Sequence, residues 1–188
     1  MSKLYLDGCS FTYGLGLNKS QRLQAMFEDA GYEVTNLSRP GKSNMAIALD
    51  TFNNIGNFDR FVLGFTYSSR YYLKFRNTDI DLIGTRFTLD KSDTVELEEA
   101  YTDLHKAFYT LHDTQYWDNI SDMLVDNLLA NLKLQSKKVF SFSWEARQTT
   151  NQLFYPVILP TDRLPDGHLN STGTRKLFNQ IQHNLGNV

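Results

Sequence analysis

Residues 3–14, KLYLDGCSFTYG, decide the fold class of this chain. The apolar run from Lys3 to Leu6 predicts a short β-strand, and the glycine-spaced segment from Gly8 to Gly16 predicts the loop that leaves it. Farther along, Ser20 is placed to cap the start of a helix and Gly31 to end it. A strand, a loop and a helix in this order form the first unit of an α/β domain.

The same alternation continues along the next part of the chain. Tyr32 to Leu37 predicts a second strand, Pro40 and Gly41 break the chain, and Ser43 is placed to cap a second helix. Arg60 to Phe65 predicts a third strand, whose centre shows no polar alternation, as expected for a strand buried on both faces of a parallel sheet. This pattern predicts a doubly wound α/β fold.

The second half of the chain is predicted to add two helices, a fourth strand and a last helix. Apolar residues recur at helical spacing between positions 97 and 128, and Lys138 to Trp144 alternates like a strand. Ser171 or Thr172 can start the last helix. Tyr71 to Leu89 alternates only weakly, which fits either a β-hairpin-like excursion or an irregular insertion.

Composition limits the classes of partner. The chain has 188 residues, with 19 Lys and Arg against 21 Asp and Glu, so its formal net charge is −2. This balance gives no electrostatic reason to expect nucleic acid or an anionic membrane surface.

The length suits a single domain, residues 1–188, with an insertion around residues 67–92. The only cysteine, Cys9, cannot form an internal disulfide, and without a signal-peptide core or an apolar span we expect a cytoplasmic protein.

Candidate chemistry lies in the loops after the predicted strands and in one late segment. Ligands bind beyond the carboxyl ends of the strands in open parallel sheets. Ser10 follows the first strand between glycines that leave its hydroxyl accessible. Asp166 and His168 could supply the oriented base that a serine nucleophile needs. The backbone N–H groups of Ser10 and Gly41 are candidate oxyanion donors.

Each of these residues also has a plainer interpretation. Ser10 could be a turn residue or a helix cap, and His168 could cap the last helix or bond a surface carbonyl. Convergence of separate segments on one sheet edge favours the catalytic interpretation. Cys9 precedes the serine, and because neighbours along an extended chain point in opposite directions, it is predicted to be buried in the core.

Three blocks together resemble the SGNH (GDSL-type) hydrolase superfamily: GCSFTYG at Gly8–Gly14, Asn36 with GKSN at Gly41–Asn44, and DGH at Asp166–His168. In particular they are similar to short phage and bacterial variants that read G-C-S-F-T-x-G. The resemblance implies a three-layer flavodoxin-like α/β sandwich with a five-stranded parallel sheet and helices on both faces. It also implies a Ser10–His168–Asp166 triad, Gly41 as an oxyanion donor, no metal or other cofactor, and hydrolysis of acyl esters.

One block departs from the family pattern G-x-N-D, whose Asn side chain is the third oxyanion donor. Here the third strand ends Gly64-Phe65-Thr66-Tyr67, so this Asn is absent. Thr66 through its hydroxyl, or Asn44 from the neighbouring loop, could take its place. Arg70 is expected near the same edge, either in a structural salt bridge or against a substrate anion.

The function predicted from the sequence is that of a serine esterase or deacetylase that cleaves small acyl esters, including O-acetyl groups on a carbohydrate. The expected partner is a small acyl-ester substrate, with neither nucleic acid nor a membrane. Two alternatives remain open. One is a weak or inactive SGNH-fold protein that binds a saccharide or a protein, and the other is a transferase that passes an acyl group to an acceptor hydroxyl.

Overall fold

The strands that carry the candidate residues form one parallel sheet. The computed structural model describes residues 2–75, 78–83, 86–89, 95–111, 113–145 and 147–186. In chain order the elements are β1 (Ser2–Gly8), α1 (Ser10–Tyr13), α2 (Leu23–Asp29), β2 (Tyr32–Asn36), α3 (Asn44–Asn54), β3 (Arg60–Phe65), β4 (Arg70–Phe75), β5 (Thr78–Ile83), β6 (Arg86–Leu89), α4 (Val95–Leu111), α5 (Thr114–Leu134), β7 (Lys138–Ser143) and α6 (Ser171–Gly186). The parallel sheet has the strand order β2-β1-β3-β7. The carboxyl end of β1 therefore lies between the ends of β2 and β3.

Alternate residues of the central strands face two different helical layers. Leu4 of β1 and Val62 of β3 pack with α2 and α6 in one apolar core. Tyr5 of β1 and Phe61 of β3 pack with α3 and α5 in a second core on the other face. Because both faces are covered, the central strands are apolar without polar alternation. The expected three-layer α/β sandwich is confirmed.

The expectation of five parallel strands is wrong for the residues that the structure describes, in which the sheet has four. Where a fifth strand would run beside β7, Phe154 forms a single parallel bridge with Phe142. Two backbone hydrogen bonds hold it there, from the Ser143 N–H to the Phe154 carbonyl oxygen and from the Phe154 N–H to the Ser141 carbonyl oxygen, each 3.0 Å. Pro156 follows two residues later and has no N–H to donate, so the ladder does not extend.

A second sheet is inserted between β3 and α4. Its strands run antiparallel in the order β4-β5-β6. This agrees with the hairpin-like alternative for residues 71–89 rather than with an irregular segment. Of the insertion predicted around 67–92, residues 76–77, 84–85 and 90–92 lie outside the described residues.

Helix boundaries test the capping predictions. The Ser43 hydroxyl accepts the Ala46 N–H at 3.2 Å and caps α3, as predicted. Gly31 follows α2 with a φ of +90°, also as predicted. The predicted cap at Ser20 is wrong, because Ser20 lies in a separate 3-10 turn, Lys19–Gln21, and α2 begins only at Leu23. None of the described helices is long and apolar enough to cross a bilayer.

Candidate active site

Ser10 occupies the first position of α1, the one-turn helix that follows β1. The residue is 4% exposed. Cys9, immediately before it, is a free thiol buried in the core with Leu4 and Leu6, as predicted. The two neighbouring side chains therefore have different surroundings, since the thiol of Cys9 packs in the core whereas Ser10 begins α1.

Two glycines let α1 lie directly on the sheet. Gly8 and Gly64 are paired on β1 and β3, and the side chain of Thr12 from α1 rests against both. A Cβ atom on Gly8 would lie 2.7 Å from Thr12 Cβ, and one on Gly64 would lie 2.6 Å from Phe142 Cζ. Both distances are far shorter than carbon–carbon van der Waals contact. A larger residue at either position would therefore displace the turn that carries Ser10.

The second loop places Gly41 beside the Ser10 segment. In residues 39–42 (RPGK), the Lys42 N–H donates to the Arg39 carbonyl oxygen at 3.3 Å, and Gly41 has a φ of +81°. Proline followed by glycine with positive φ is the signature of a type II β-turn, which does not use the glycine N–H for its own closure. The Arg39 N–H also donates to the Gly8 carbonyl oxygen at 3.2 Å. The turn is therefore tied to the residue two positions before Ser10.

His168 and Asp166 lie in one turn just before α6, separated by Gly167, whose φ is +87°. One carboxylate oxygen of Asp166 accepts the His168 backbone N–H at 3.1 Å, and the other lies 3.1 Å from His168 Nδ1. The Nδ1 contact has an ion-pair distance but not the alignment of a hydrogen bond. The His168 backbone N–H is the main cause that lowers the pKa of Asp166. Asp166 is therefore ionised at neutral pH and can orient the imidazole.

An aromatic stack joins the imidazole to the Ser10 segment. The ring of Phe11, the residue after Ser10, lies 5.0 Å from the His168 ring and 4.6 Å from the Trp144 ring, measured between centroids. Phe11 is 8% exposed, so this stack has little freedom to move. The structure thus brings together the segment that carries Ser10 and the late segment that carries His168.

The third loop holds Thr66 and Asn44 against each other. Asn44 Oδ1 accepts the Thr66 N–H at 2.8 Å, while Asn44 Nδ2 donates to the Thr66 carbonyl oxygen at 3.0 Å and to Ser121 Oγ at 3.2 Å. Both amide hydrogens of Asn44 thus have acceptors within the protein, and one would have to be given up to reach an oxyanion. The Thr66 hydroxyl is buried and makes no hydrogen bond with any described residue, which makes it a candidate donor.

Arg70 lines a small, mostly apolar cavity rather than a polar pocket. Its guanidinium lies 5.4 Å from the Tyr67 ring centroid. The cavity has a volume of about 20 Å³, and its other lining residues are Met45, Tyr71, Tyr72, Phe108, Trp117, Ile120, Ser121 and Leu124. Arg70 Nη1 is buried and has no hydrogen-bond partner among the described residues. The cavity has room for about one water molecule.

A buried arginine that sequence reasoning missed lies behind the third loop. The Arg147 side chain is 1% exposed and forms an ion pair of 2.5 Å with Asp122. Its Nη1 donates to the Thr66 carbonyl oxygen at 3.2 Å. Arg147 also lines a polar cavity of about 160 Å³, together with Ser68, Gln115, Asp118, Asn119, Asp122, Glu145 and Gln148. No local motif marks Arg147, because its partners lie far away in the sequence.

A buried ion pair beneath the first two loops was also missed. Lys42 Nζ lies 2.7 Å from both carboxylate oxygens of Asp7, and both side chains are fully buried. Burial raises the pKa of Asp7 to about 6, against the opposing effect of Lys42. A signal was present in the sequence, because opposite charges follow two strands whose carboxyl ends meet at one edge of a parallel sheet.

Among the described residues, no group of three or more His, Cys, Asp or Glu side chains is arranged to hold a metal ion.

Comparison with known proteins was made by sequence and by structure. No family model and no curated protein matches the sequence. The structure resembles that of TesA, with a TM-score of 0.57 and 13% identity over 98% of both chains. It also resembles the psychrotrophic esterase EstA from Pseudoalteromonas sp., with a TM-score of 0.54 and 8% identity over 100% of this chain and 98% of the other. The lipase Lip_vut3 from a goat rumen metagenome gives a TM-score of 0.52 at 10% identity over 97% of both chains.

The chain shares its overall fold with these three proteins, in agreement with the fold that the resemblance to SGNH (GDSL-type) hydrolases implied. Identities of 8–13% show the fold alone. Within this fold, the loops that carry Ser10, Gly41 and Thr66 follow adjacent parallel strands. The His168 turn reaches the same group of segments through the ring of Phe11.

Proposed function

We propose that this chain is a serine esterase that cleaves small acyl esters, with O-acetyl groups on a carbohydrate as its substrate class. One observation carries the proposal. The His168 ring, with Asp166 against its Nδ1, packs at a tilt of 37° on the ring of Phe11, the residue that follows Ser10 in a glycine-bounded turn. An esterase and a lipase share this fold, which supports hydrolysis as the reaction class.

In the proposed acylation step, Ser10 Oγ attacks the ester carbonyl carbon while His168 Nε2 takes the hydroxyl proton. Asp166 stabilises the imidazolium that forms. The negative charge that develops on the carbonyl oxygen is held by the backbone N–H groups of Ser10 and Gly41, with the Thr66 hydroxyl as a further donor. When the carbon–oxygen bond to the alcohol breaks, the imidazolium returns its proton to the leaving alkoxide.

Deacylation repeats these roles with water as the nucleophile. His168 takes a proton from water, the resulting hydroxide attacks the acyl carbon, and the carbon–Oγ bond of Ser10 breaks. The imidazolium then protonates Ser10 Oγ. The products are a carboxylic acid and the regenerated enzyme.

The polar cavity lined by Arg147 supports a hydroxyl-rich alcohol portion in the substrate. The cavity is lined by residues just after the carboxyl ends of β3 and β7, close to Thr66. It has room for about five water molecules. Its carboxylates can accept hydrogen bonds from hydroxyl groups, and within the described part of the chain Asp118 Oδ1 is buried without a partner. A sugar ring presents both donors and acceptors, which suits such a mixed lining.

Two measurements on the purified protein test the proposal. The first is hydrolysis of p-nitrophenyl acetate by the wild type and by Ser10→Ala, for which we expect a loss on the order of 10³-fold or more. The second is labelling with a fluorophosphonate, followed by mass spectrometry to locate the adduct, which we expect on Ser10. Ser20→Ala is the matched control, because Ser20 is an exposed serine in the turn before α2. An unchanged rate in Ser10→Ala together with no adduct on Ser10 would overturn the proposal.

The second candidate is a binding protein of the same fold without turnover, and the engagement of Asn44 favours it. Its amide is held by Thr66 and Ser121, so the donors for an oxyanion are the two backbone N–H groups and one hydroxyl. Loss of one oxyanion donor costs about 10²–10³ in kcat in other hydrolases. A wild type that binds acetylated saccharides by calorimetry but neither hydrolyses them nor reacts with the fluorophosphonate would select this candidate.

A further inference from the structure

The buried ammonium of Lys42 joins three separate segments beneath the candidate site. Its Nζ contacts Asp7 at the end of β1 at 2.7 Å and the Leu37 carbonyl oxygen after β2 at 3.0 Å. It also contacts Asp50 Oδ2 on α3 at 2.6 Å. Asp7 in turn accepts the Gly8 N–H at 2.7 Å. Lys42 is the residue after Gly41, and its contact with Asp7 extends to Gly8, which lies two residues before Ser10.

Further ion pairs connect Lys42, through Asp50 and Arg39, to Asp81 in the second sheet. Arg39 lies 3.9 Å from Asp50 and 2.6 Å from Asp81 of β5. Asp81 is 1% exposed, and its other carboxylate oxygen accepts the Ser43 N–H at 3.0 Å. The turn that contains Gly41 is therefore fixed at three residues. Ion pairs hold Arg39 and Lys42, its first and last residues, and a hydrogen bond holds Ser43, the residue that follows.

Stability alone is a weak reason for this arrangement. Taking two charges out of water costs free energy that their attraction often only balances, and well-packed apolar residues can replace such pairs without loss. The pair does supply fixed geometry, since an ammonium on a flexible stem offers three donors that can meet acceptors from different directions. Two of these acceptors, Asp7 and the Leu37 carbonyl oxygen, lie on the segments that lead to Ser10 and to Gly41, whose N–H groups must converge on one oxygen atom.

We propose that Lys42 is a positioning residue, which holds the Gly41 N–H at a fixed distance from Ser10 by binding Asp7 and the Leu37 carbonyl, with Asp81 bracing the same turn from the second sheet. The inference rests on the esterase function proposed above. Lys42 does not touch the substrate, and its effect is exerted through the oxyanion donor of Gly41.

The main test uses the double variant D7N/K42M, because K42M alone leaves the Asp7 carboxylate buried without its cation. Asn keeps an oxygen that can accept the Gly8 N–H, and Met keeps most of the length of the lysine stem. In steady-state hydrolysis of p-nitrophenyl acetate, we expect kcat to fall about 10²-fold or more, with KM changing less than threefold. Asp81→Asn retains the acceptor for Ser43 and should lower kcat by several-fold only. Circular dichroism and urea titration establish that each variant is fully folded under assay conditions.

The matched control is K137M. It removes another lysine–aspartate ion pair, Lys137–Asp59 at 3.6 Å, which lies just before the amino ends of β7 and β3. Its kcat should equal that of the wild type. The proposal is overturned if folded D7N/K42M keeps kcat within threefold of the wild type, or if kcat falls only in proportion to the unfolded fraction. The esterase function itself stands or falls on Ser10→Ala and the adduct, so the two failures are distinguishable.

Discussion

Replacement of Gly64 by alanine tests the contact on which the position of Ser10 depends. The new Cβ would overlap the Thr12 hydroxyl and lie 2.6 Å from Phe142 Cζ and 3.0 Å from Phe142 Cε2. Ordinary carbon–carbon contacts begin near 3.5 Å, so the phenyl ring must retreat by roughly 1 Å. Phe142 is fully buried, and room for that movement has to come from neighbours in the core. Overpacking of this kind costs about 1–3 kcal/mol of unfolding free energy.

Urea unfolding followed by circular dichroism gives the free energy, and the midpoint should fall while the m-value stays constant. Hydrolysis of p-nitrophenyl acetate should fall as well, because displacement of catalytic groups by about 1 Å can cost on the order of 10²-fold. Gly56→Ala is the matched control, since nothing lies within 4 Å of its added Cβ, and its free energy should change by less than about 1 kcal/mol. If Gly64→Ala has the stability and activity of the wild type, the inference that Gly8 and Gly64 determine how closely α1 packs on the sheet is refuted.

Two further outcomes follow from the neighbouring contacts. Asn44→Ala removes the acceptor of the buried Thr66 N–H and should lower the unfolding free energy, measured by urea titration, by about 1–3 kcal/mol. A loss below roughly 0.5 kcal/mol would contradict the role of Asn44 as the acceptor that holds the third loop. Burial raises the pKa of Asp7 from 3.8 to about 6 in the folded state, so the folded chain binds a proton more tightly than the unfolded chain. Asp7 therefore contributes stability that is complete below about pH 4 and is lost as the pH rises through 6, up to about 3 kcal/mol. Wild-type urea titrations from pH 4 to pH 7 should show this decline and Asp7→Asn should lack it, whereas parallel curves for the two proteins would rule it out.

Local patterns were sufficient for the central strands and for the break in the chain at Pro40 and Gly41. The run around Val62 is apolar because both of its faces are covered by helices, and apolar side chains lose no hydrogen bonds on such burial. Pro40 and Gly41 specify a type II turn by their own backbone preferences. Ser43 and Gly31 mark helix ends for similarly local reasons. In each case the physical cause lies within a few residues of the feature.

Features that depend on distant partners escaped prediction. Lys42 and Asp7 are 35 residues apart, and Arg147 and Thr66 are 81 residues apart, so no local spacing rule connects either pair. For Lys42 and Asp7 the signal was the meeting of two strand ends, which depends on the strand order. The absence of a fifth strand among the described residues is a related case, because Phe154 pairs with Phe142 but Pro156, two residues later, has no N–H with which to extend the ladder. The sequence named the nucleophile, base and turn as candidates, but the groups that fix their relative positions became visible only in the folded chain.

The charge balance of the buried network argues that Lys42 acts through geometry rather than through its own field. Lys42 carries one positive charge, and its contacts with Asp7 and Asp50 bring two negative ones. Adding Arg39 and Asp81 leaves the sum at −1 when Asp7 is ionised. A network of this sign repels a developing oxyanion, so stabilisation must come from oriented N–H dipoles at close range, whose strength depends steeply on placement. A fixed Gly41 turn is therefore the contribution that this network can make to catalysis, and its loss should appear in kcat rather than in KM.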